Sequence, residues 1–146
     1  MAAEAAGIHD GDLSLEPSAG TGMLAVFAGL AGASLALNEY AELRVQILRQ
    51  VFETRAVTQF NAATIHDRLP ASIVPSVAVM NPPFSASPKV EGRYKAATIN
   101  HIRSALQRLA PGGRFVTITG ESFSSTSDWR EAFEDMQRIC RVCSRQ

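Results

Sequence analysis

The chain is short of the features that would place it in a membrane, a secretory route or a metal site. Of its 146 residues two are cysteines, Cys140 and Cys143. Their Cys-x-x-Cys spacing is half of a structural zinc site, but no second pair follows, and a closed four-ligand metal centre is not expected. The pair reads instead as lying one turn apart on a last helix. No apolar run reaches membrane-spanning length without interruption: the most apolar stretch, Met23 to Leu37, is broken by Gly29, Gly32 and Ser34. It reads as a buried helix followed by a buried strand. No basic start with a cleavage site precedes it, which points to a cytoplasmic protein.

Positive charge is missing from residues 1–40, which hold Glu4, Asp10, Asp12, Glu16 and Glu39 but no Lys or Arg. Residues 89–114 reverse this, with Lys89, Arg93, Lys95, Arg103, Arg108 and Arg114 against Glu91 alone, while the formal net charge of the whole chain is zero. Such a basic stretch is either a nucleic-acid backbone contact or a solvated helix face. A hydrophobic share of 46% over 146 residues is what one globular domain with a sizeable core requires.

Strands and helices alternate along that domain. Ala3 to Ile8 reads as the end of a helix stopped by Gly7. Asp12 to Leu15 is a short strand, Pro17 to Thr21 a Gly-rich turn, and Met23 to Leu30 an apolar helix. Ala33 to Leu37 forms a second strand. Leu43, Ile47 and Val51 mark one face of a helix ending near Phe52, and Ala56 to Phe60 a third strand closing on Asn61-Ala62. After a polar loop from Asp67 to Pro70, residues 77–80 form a fourth strand, and a Ser/Pro/Gly-rich loop runs from Ser85 to Gly92. Ile99, Ile102, Leu106 and Leu109 define an amphipathic helix that Pro111-Gly112-Gly113 stops. Arg114 to Thr119 is the fifth strand, and Trp129, Phe133, Met136 and Cys140 stripe a final helix that Ser127 or Asp128 could cap. Continuous apolar strands separated by helices imply a doubly wound α/β fold with a parallel sheet covered on both faces.

Ligands of such sheets bind outside the carboxyl ends of the strands. Glu16, Glu39, Asn61 and Asn81 each close a different predicted strand. Taken singly, Glu16 is also explained as a turn residue, Glu39 as a carboxylate at a helix start and Asn61 as an Asx-turn former. Gly20 and Gly22 let a backbone approach a ligand closely, and the helix start behind them suits an anion. Gly20, Gly22 and Ala25, with Glu39 about 20 residues on, also satisfy a dinucleotide fingerprint. A second landmark decides against that reading: Val77-Ala78-Val79-Met80 runs straight into Asn81-Pro82-Pro83-Phe84.

Glu16-Pro17-Ser18-Ala19-Gly20-Thr21-Gly22 followed by Asn81-Pro82-Pro83-Phe84 resembles motifs I and IV of the S-adenosylmethionine-dependent amino-methyltransferases, above all those acting on adenine N6. With Leu37-Asn38-Glu39, Gln59-Phe60-Asn61-Ala62, Ile65-His66-Asp67, Met80 to Ser85 and Leu109 to Arg114, the chain is most similar to the methylase portion of strawberry-notch-type methylase/helicase proteins. The resemblance implies a Rossmann-like class I methyltransferase fold with S-adenosylmethionine as cofactor. The loop from Glu16 to Gly22 would hold the methionine end, Glu39 the ribose hydroxyls, and Asn61 with Ala62 the adenine. Asn61 stands where the family usually has Asp. Asn81 and Pro82 would accept the hydrogens of the target amine, Pro83 would stiffen the strand end, and Phe84 would stack on a flipped base.

The acceptor implied is adenine N6 in DNA, with RNA or a protein amide as further planar NH2 groups. The runner-up is a methyltransferase-fold binding module with weak or no turnover. The family also carries a terminal antiparallel strand pair and a segment before the first strand, neither found in these residues. The fifth strand is therefore expected to be an uncovered edge that pairs with another copy or a partner chain.

Overall fold

The computed structural model describes residues 2–52, 57–82, 91–119 and 129–140. In chain order they form α1 (Ala2–Ala5), β1 (Leu13–Glu16), α2 (Met23–Leu30), β2 (Ser34–Asn38), α3 (Glu42–Val51) and β3 (Val57–Thr58). A 3-10 turn (Ala62–Thr64) leads into α4 (Ile65–Arg68), then β4 (Val77–Met80), α5 (Glu91–Arg108), β5 (Arg114–Thr117) and α6 (Arg130–Ile139).

The five strands make one parallel sheet in the order β3-β2-β1-β4-β5. Chain progression reverses between β1 and β4, since β1 leads outward through β2 to β3 and the chain then returns to the far side of β1. Side chains alternate across each strand and divide the core into two layers. Leu15, Ala36, Ala78 and Met80 face Ile65, Leu69, Ile102, Ala105 and Met136, so α4, α5 and α6 cover that side. Leu37 and Val57 pack with Ala25, Val45 and Leu48 of α2 and α3 on the other side, where Val77 and Val79 meet Ala6 just after α1.

Sequence periodicity located the strands to within a residue or two, and the shifts have local causes. β1 begins at Leu13, not Asp12, because the Asp12 N–H closes a turn on His9 O (3.2 Å), and its side chain is tied to neighbouring segments. That side chain accepts from Ser76 Oγ (2.7 Å), the His9 backbone N–H (3.0 Å) and Arg114 Nη2. β3 is two residues long, since Phe60 N–H is held by the Asn38 side chain instead of a strand partner. β5 stops at Thr117, short of the expected end at Thr119, although Ile118 N–H still reaches Met80 O at 3.0 Å. The expected loop from Asp67 to Pro70 overlaps α4. Its apolar signal is a single i,i+4 pair, Ile65 and Leu69, too short to show a helical period beside His66, Asp67 and Arg68. α5 also begins at Glu91, inside the stretch read as loop.

α2 departs from the pattern of a surface helix. Ala25 and Ala28 are buried against the sheet, whereas Met23, Val26, Phe27 and Leu30 form an exposed apolar stripe at i, i+3, i+4 and i+7. Cys140 lies just past α6 and its Sγ donates to Met136 O at 3.1 Å. Cys143 and the expected caps Ser127 and Asp128 fall outside the described residues.

Candidate functional site

Glu16 closes β1, Glu39 follows β2, Asn61 follows β3 and Asn81 follows β4, so the four sit along one edge of the sheet, astride the reversal between β1 and β4. Loop and strand ends are tied together by backbone bonds. Ala19 N–H donates to Asn38 O (2.9 Å), Gly22 N–H to Ala19 O (2.7 Å) and Glu39 N–H to Thr58 O (3.1 Å).

The two glycines of the loop are there for different reasons. Both have a left-handed backbone, φ +59° at Gly20 and φ +87° at Gly22. A Cβ on Gly22 would lie 2.3 Å from Cε2 of Phe52, so this glycine is required by the packing of the loop on α3. A Cβ on Gly20 would meet no protein atom within 4 Å and would project into open space beside the loop. Pro17 and Ala19 are buried, Ser18 is half-buried, and Thr21 is exposed.

Glu16 is 5% exposed, and its Oε2 has no hydrogen-bond partner among the described residues. Burial pushes its carboxyl up to about 8, opposed by a hydrogen bond from the Ala25 backbone and reinforced by the negative Glu39. At neutral pH the group is therefore largely protonated, a buried acid at the start of α2.

Glu39 has the opposite character although it too is buried, at 4% exposure. Burial alone would raise its pKa. Hydrogen bonds from Arg44, Ala41 and Gly20, together with the Arg44 charge, outweigh it and hold the carboxyl below the usual range. Oε2 accepts the Gly20 N–H at 2.8 Å, and Oε1 accepts both the Ala41 N–H and Arg44 Nη2 at 2.8 Å. Glu39 thus fastens the glycine loop to the start of α3.

Asn61 is exposed, and its Oδ1 caps the 3-10 turn by accepting Ala63 N–H at 3.0 Å, while Ala62 is buried. Asn81 is exposed at the tip of β4 and Pro82 is buried. Pro83 and Phe84, the remainder of the expected amine-binding motif, lie outside the described residues.

Two residues to which the sequence assigned no role organise this edge. The buried Asn38 donates from Nδ2 to Pro17 O and Phe60 O, and its Oδ1 accepts from Phe60 N–H and Thr58 Oγ1, all at 2.9 Å. One side chain thereby joins the glycine loop, β2 and β3. Arg44 pairs with Glu39. Its signal was a lone cation in the first turn of α3, where an anion is the favourable charge.

The basic stretch resolves into several roles. Arg114 bonds Asp12 at the opposite edge of the sheet. Arg108 donates to Ile73 O at 3.0 Å and also to Pro70 O. Both therefore brace the fold. Lys89 lies outside the described residues, as do the side chains of Arg93 and Lys95. Among the described residues no three His, Cys, Asp or Glu side chains are grouped to hold a metal ion, and no helix is long and apolar enough to cross a membrane.

A parallel sheet in this order, with a glycine turn at its reversal and helices on both faces, is the Rossmann-like class I methyltransferase fold. The chain is similar to a TehB-like S-adenosylmethionine-dependent methyltransferase from Corynebacterium glutamicum, at 17% identity and TM-score 0.64, covering 94% of this chain and 69% of that one. It is also similar to NSun6 from Pyrococcus horikoshii, solved with SFG, at 14% identity and TM-score 0.71, covering 94% and 40%. A third likeness is the glycopeptide N-methyltransferase MtfA complexed with S-adenosyl-L-methionine, at 18% identity and TM-score 0.59, covering 85% and 51%. The chain thus spans from about two fifths to about two thirds of these three proteins. No protein-family profile and no curated protein sequence matches it.

Proposed function

We propose that the chain binds S-adenosylmethionine at this edge and directs methyl transfer to an exocyclic amine, with adenine N6 in DNA as the favoured acceptor. The observation that carries the reading is at the ends of two adjacent strands: Glu39 accepts the N–H of Gly20, a glycine with open space where a Cβ would stand, and Glu16 buries an oxygen that has no partner among the described residues. The residues fit the cofactor. Glu16 Oε2 is a buried oxygen with no partner among the described residues, and the ammonium of the methionine end would supply the positive charge that offsets its desolvation and lets it ionise. Glu39 is an ionised acceptor suited to ribose hydroxyls. Asn61 and Ala62 stand beyond β3, where the adenine would lie. MtfA, solved with S-adenosylmethionine, and the TehB-like methyltransferase lend support through the shared fold.

When bound, the cofactor supplies a methyl group on a positive sulfur. An exocyclic amine is a poor nucleophile because its lone pair is delocalised into the ring. Asn81 Oδ1 and the Pro82 carbonyl would accept its two hydrogens, turning the lone pair toward the methyl. Held in this way, the amine would accept the methyl and release one proton to water. Prolines at 82 and 83 suit the place because they hold the strand end rigid and offer no competing N–H, and Phe84 would stack on the planar target.

A second reading, a binding module with little or no turnover, is favoured by one observation: Arg108 and Arg114, two of the cations expected to face nucleic acid, are engaged within the fold. Tritiated methyl transfer to unmethylated DNA, with RNA and free adenosine as competing acceptors, separates the two. Asn81→Ala is expected to lose transfer while keeping S-adenosylhomocysteine affinity. S-adenosylhomocysteine binding without transfer to any amine would favour the module, and no binding at all would remove both.

A further inference from the structure

Glu39 would meet a ribose with most of its acceptor directions already taken. A carboxylate has about four, two on each oxygen. Oε1 accepts from the Ala41 N–H and Arg44, and Oε2 from the Gly20 N–H. Oε1 is therefore full, and Oε2 has one direction left. Two vicinal hydroxyls cannot both dock on that remainder.

The three donors differ in how readily they leave. The Gly20 amide belongs to a loop held by Asn38, and the Ala41 amide belongs to the start of α3, so both are fixed by the backbone. Arg44 reaches Glu39 through a long side chain that is 50% exposed, with water ready to take the guanidinium. It is also a cation in the first turn of a helix, a position the helix dipole disfavours, so its pairing with Glu39 is what offsets that placement.

We propose that Arg44 is a latch on the nucleoside end of the cofactor site, occupying the Glu39 acceptor that a ribose hydroxyl needs and swinging into solvent when the diol docks. The inference rests on the S-adenosylmethionine reading above. Its consequence is selectivity. A ligand with both hydroxyls replaces the bond that Arg44 surrenders, whereas a ligand without them leaves the latch closed. Arg44 is here a positioning residue that tunes which nucleosides the site accepts.

The test is calorimetric titration of the wild type, Arg44→Ala and Arg44→Lys with S-adenosylhomocysteine and with its 2′,3′-dideoxy analogue. Removing the latch should tighten S-adenosylhomocysteine by about two- to ten-fold, the range for an ion pair with one buried and one exposed partner. Arg44→Lys should fall between, and the dideoxy analogue should bind all three proteins alike. Thermal unfolding confirms that the variants are folded. Unchanged or weaker S-adenosylhomocysteine binding by Arg44→Ala would overturn the latch, as would an equal gain on both ligands, which would show a general charge effect. Failure of the wild type to bind S-adenosylhomocysteine would instead remove the underlying cofactor reading, and the latch with it.

Discussion

Glu16 and Glu39 are the same residue type at equivalent ends of adjacent strands, yet their surroundings drive their protonation apart. Glu39 has three donors, whereas Glu16 Oε2 has none among the described residues. The pH consequence follows from linkage. A carboxyl raised from 4.5 to about 8 keeps its proton in the folded state while the unfolded chain loses it. Its contribution to stability is therefore full below about pH 4.5 and is lost as pH rises toward 8. Glu16→Gln should remove that decline, measured as the difference in denaturant midpoint between variant and wild type across pH 4.5 to 8. Parallel curves would show that Glu16 ionises normally. Asp12 and Glu39, both lowered, act with the opposite sign and in the acid range, where their stabilisation is lost as pH falls through their folded values. Glu39→Ala tests the site itself. S-adenosylhomocysteine binding should weaken by about 1.5 to 3 kcal/mol, as for loss of a charged hydrogen bond, and equal affinities by calorimetry would take Glu39 out of the site.

At the scale of elements, the glycine loop separates folding from binding within three residues. Gly22→Ala must place a methyl against the Phe52 ring in a left-handed backbone, and about 2 to 4 kcal/mol of stability should be lost in chemical denaturation. Gly20→Ala meets the backbone penalty alone, about 1 kcal/mol, because nothing lies within reach of its Cβ. Its larger effect should fall on cofactor affinity, since the methyl would point into the opening of the loop. Similar stabilities for the two variants would contradict this division. α2, which starts at the end of that loop, carries its exposed stripe without help from the sheet. Leu30, at 80% exposure, should accept Lys with a change within about 0.5 kcal/mol. A larger loss in thermal unfolding would mean that the stripe is covered.

Across the whole molecule, β5 is the outer strand of the described sheet, opposite β3. Arg114 N–H and Ile118 N–H point inward to Ser76 O and Met80 O, so the alternation of a strand turns the N–H groups of Phe115 and Thr117 outward. Among the described residues no strand lies beyond β5, and an edge of this kind invites another strand. Sedimentation velocity over a range of concentrations should show association, and Thr117→Pro should abolish it by removing an outward donor while sparing the inward ladder. A wild type that stays monomeric at high concentration would refute the edge pairing.

Much of this architecture was legible in the chain itself. A continuous apolar run at 77–80 and shorter apolar-rich ones around Leu13, Leu15 and 35–37, separated by helical periods, suffice for a parallel sheet, because burial on both faces leaves a one-dimensional trace. The placement of Glu16, Glu39, Asn61 and Asn81 at strand ends was likewise readable, since a strand end is a local property. What each does there was not. Glu16 and Glu39 differ in charge state through neighbours from other elements, and Gly20 and Gly22 differ through Phe52, thirty residues beyond Gly22. Arg114 and Arg108, basic in sequence, are braces because Asp12 and the carbonyls of Ile73 and Pro70 come to them only in the folded chain. Asn38 was given no role for the same reason: its four hydrogen bonds reach Pro17 in one segment and Thr58 and Phe60 in another, and no spacing in a sequence encodes their meeting. Sequence alone determined the succession of elements, except for the one-turn α4, and the edge on which the polar residues collect, both set by backbone periodicity. Tertiary structure decided which of those residues are charged, satisfied or open to a ligand, because desolvation and hydrogen bonding depend on groups that are distant along the chain and adjacent only in space.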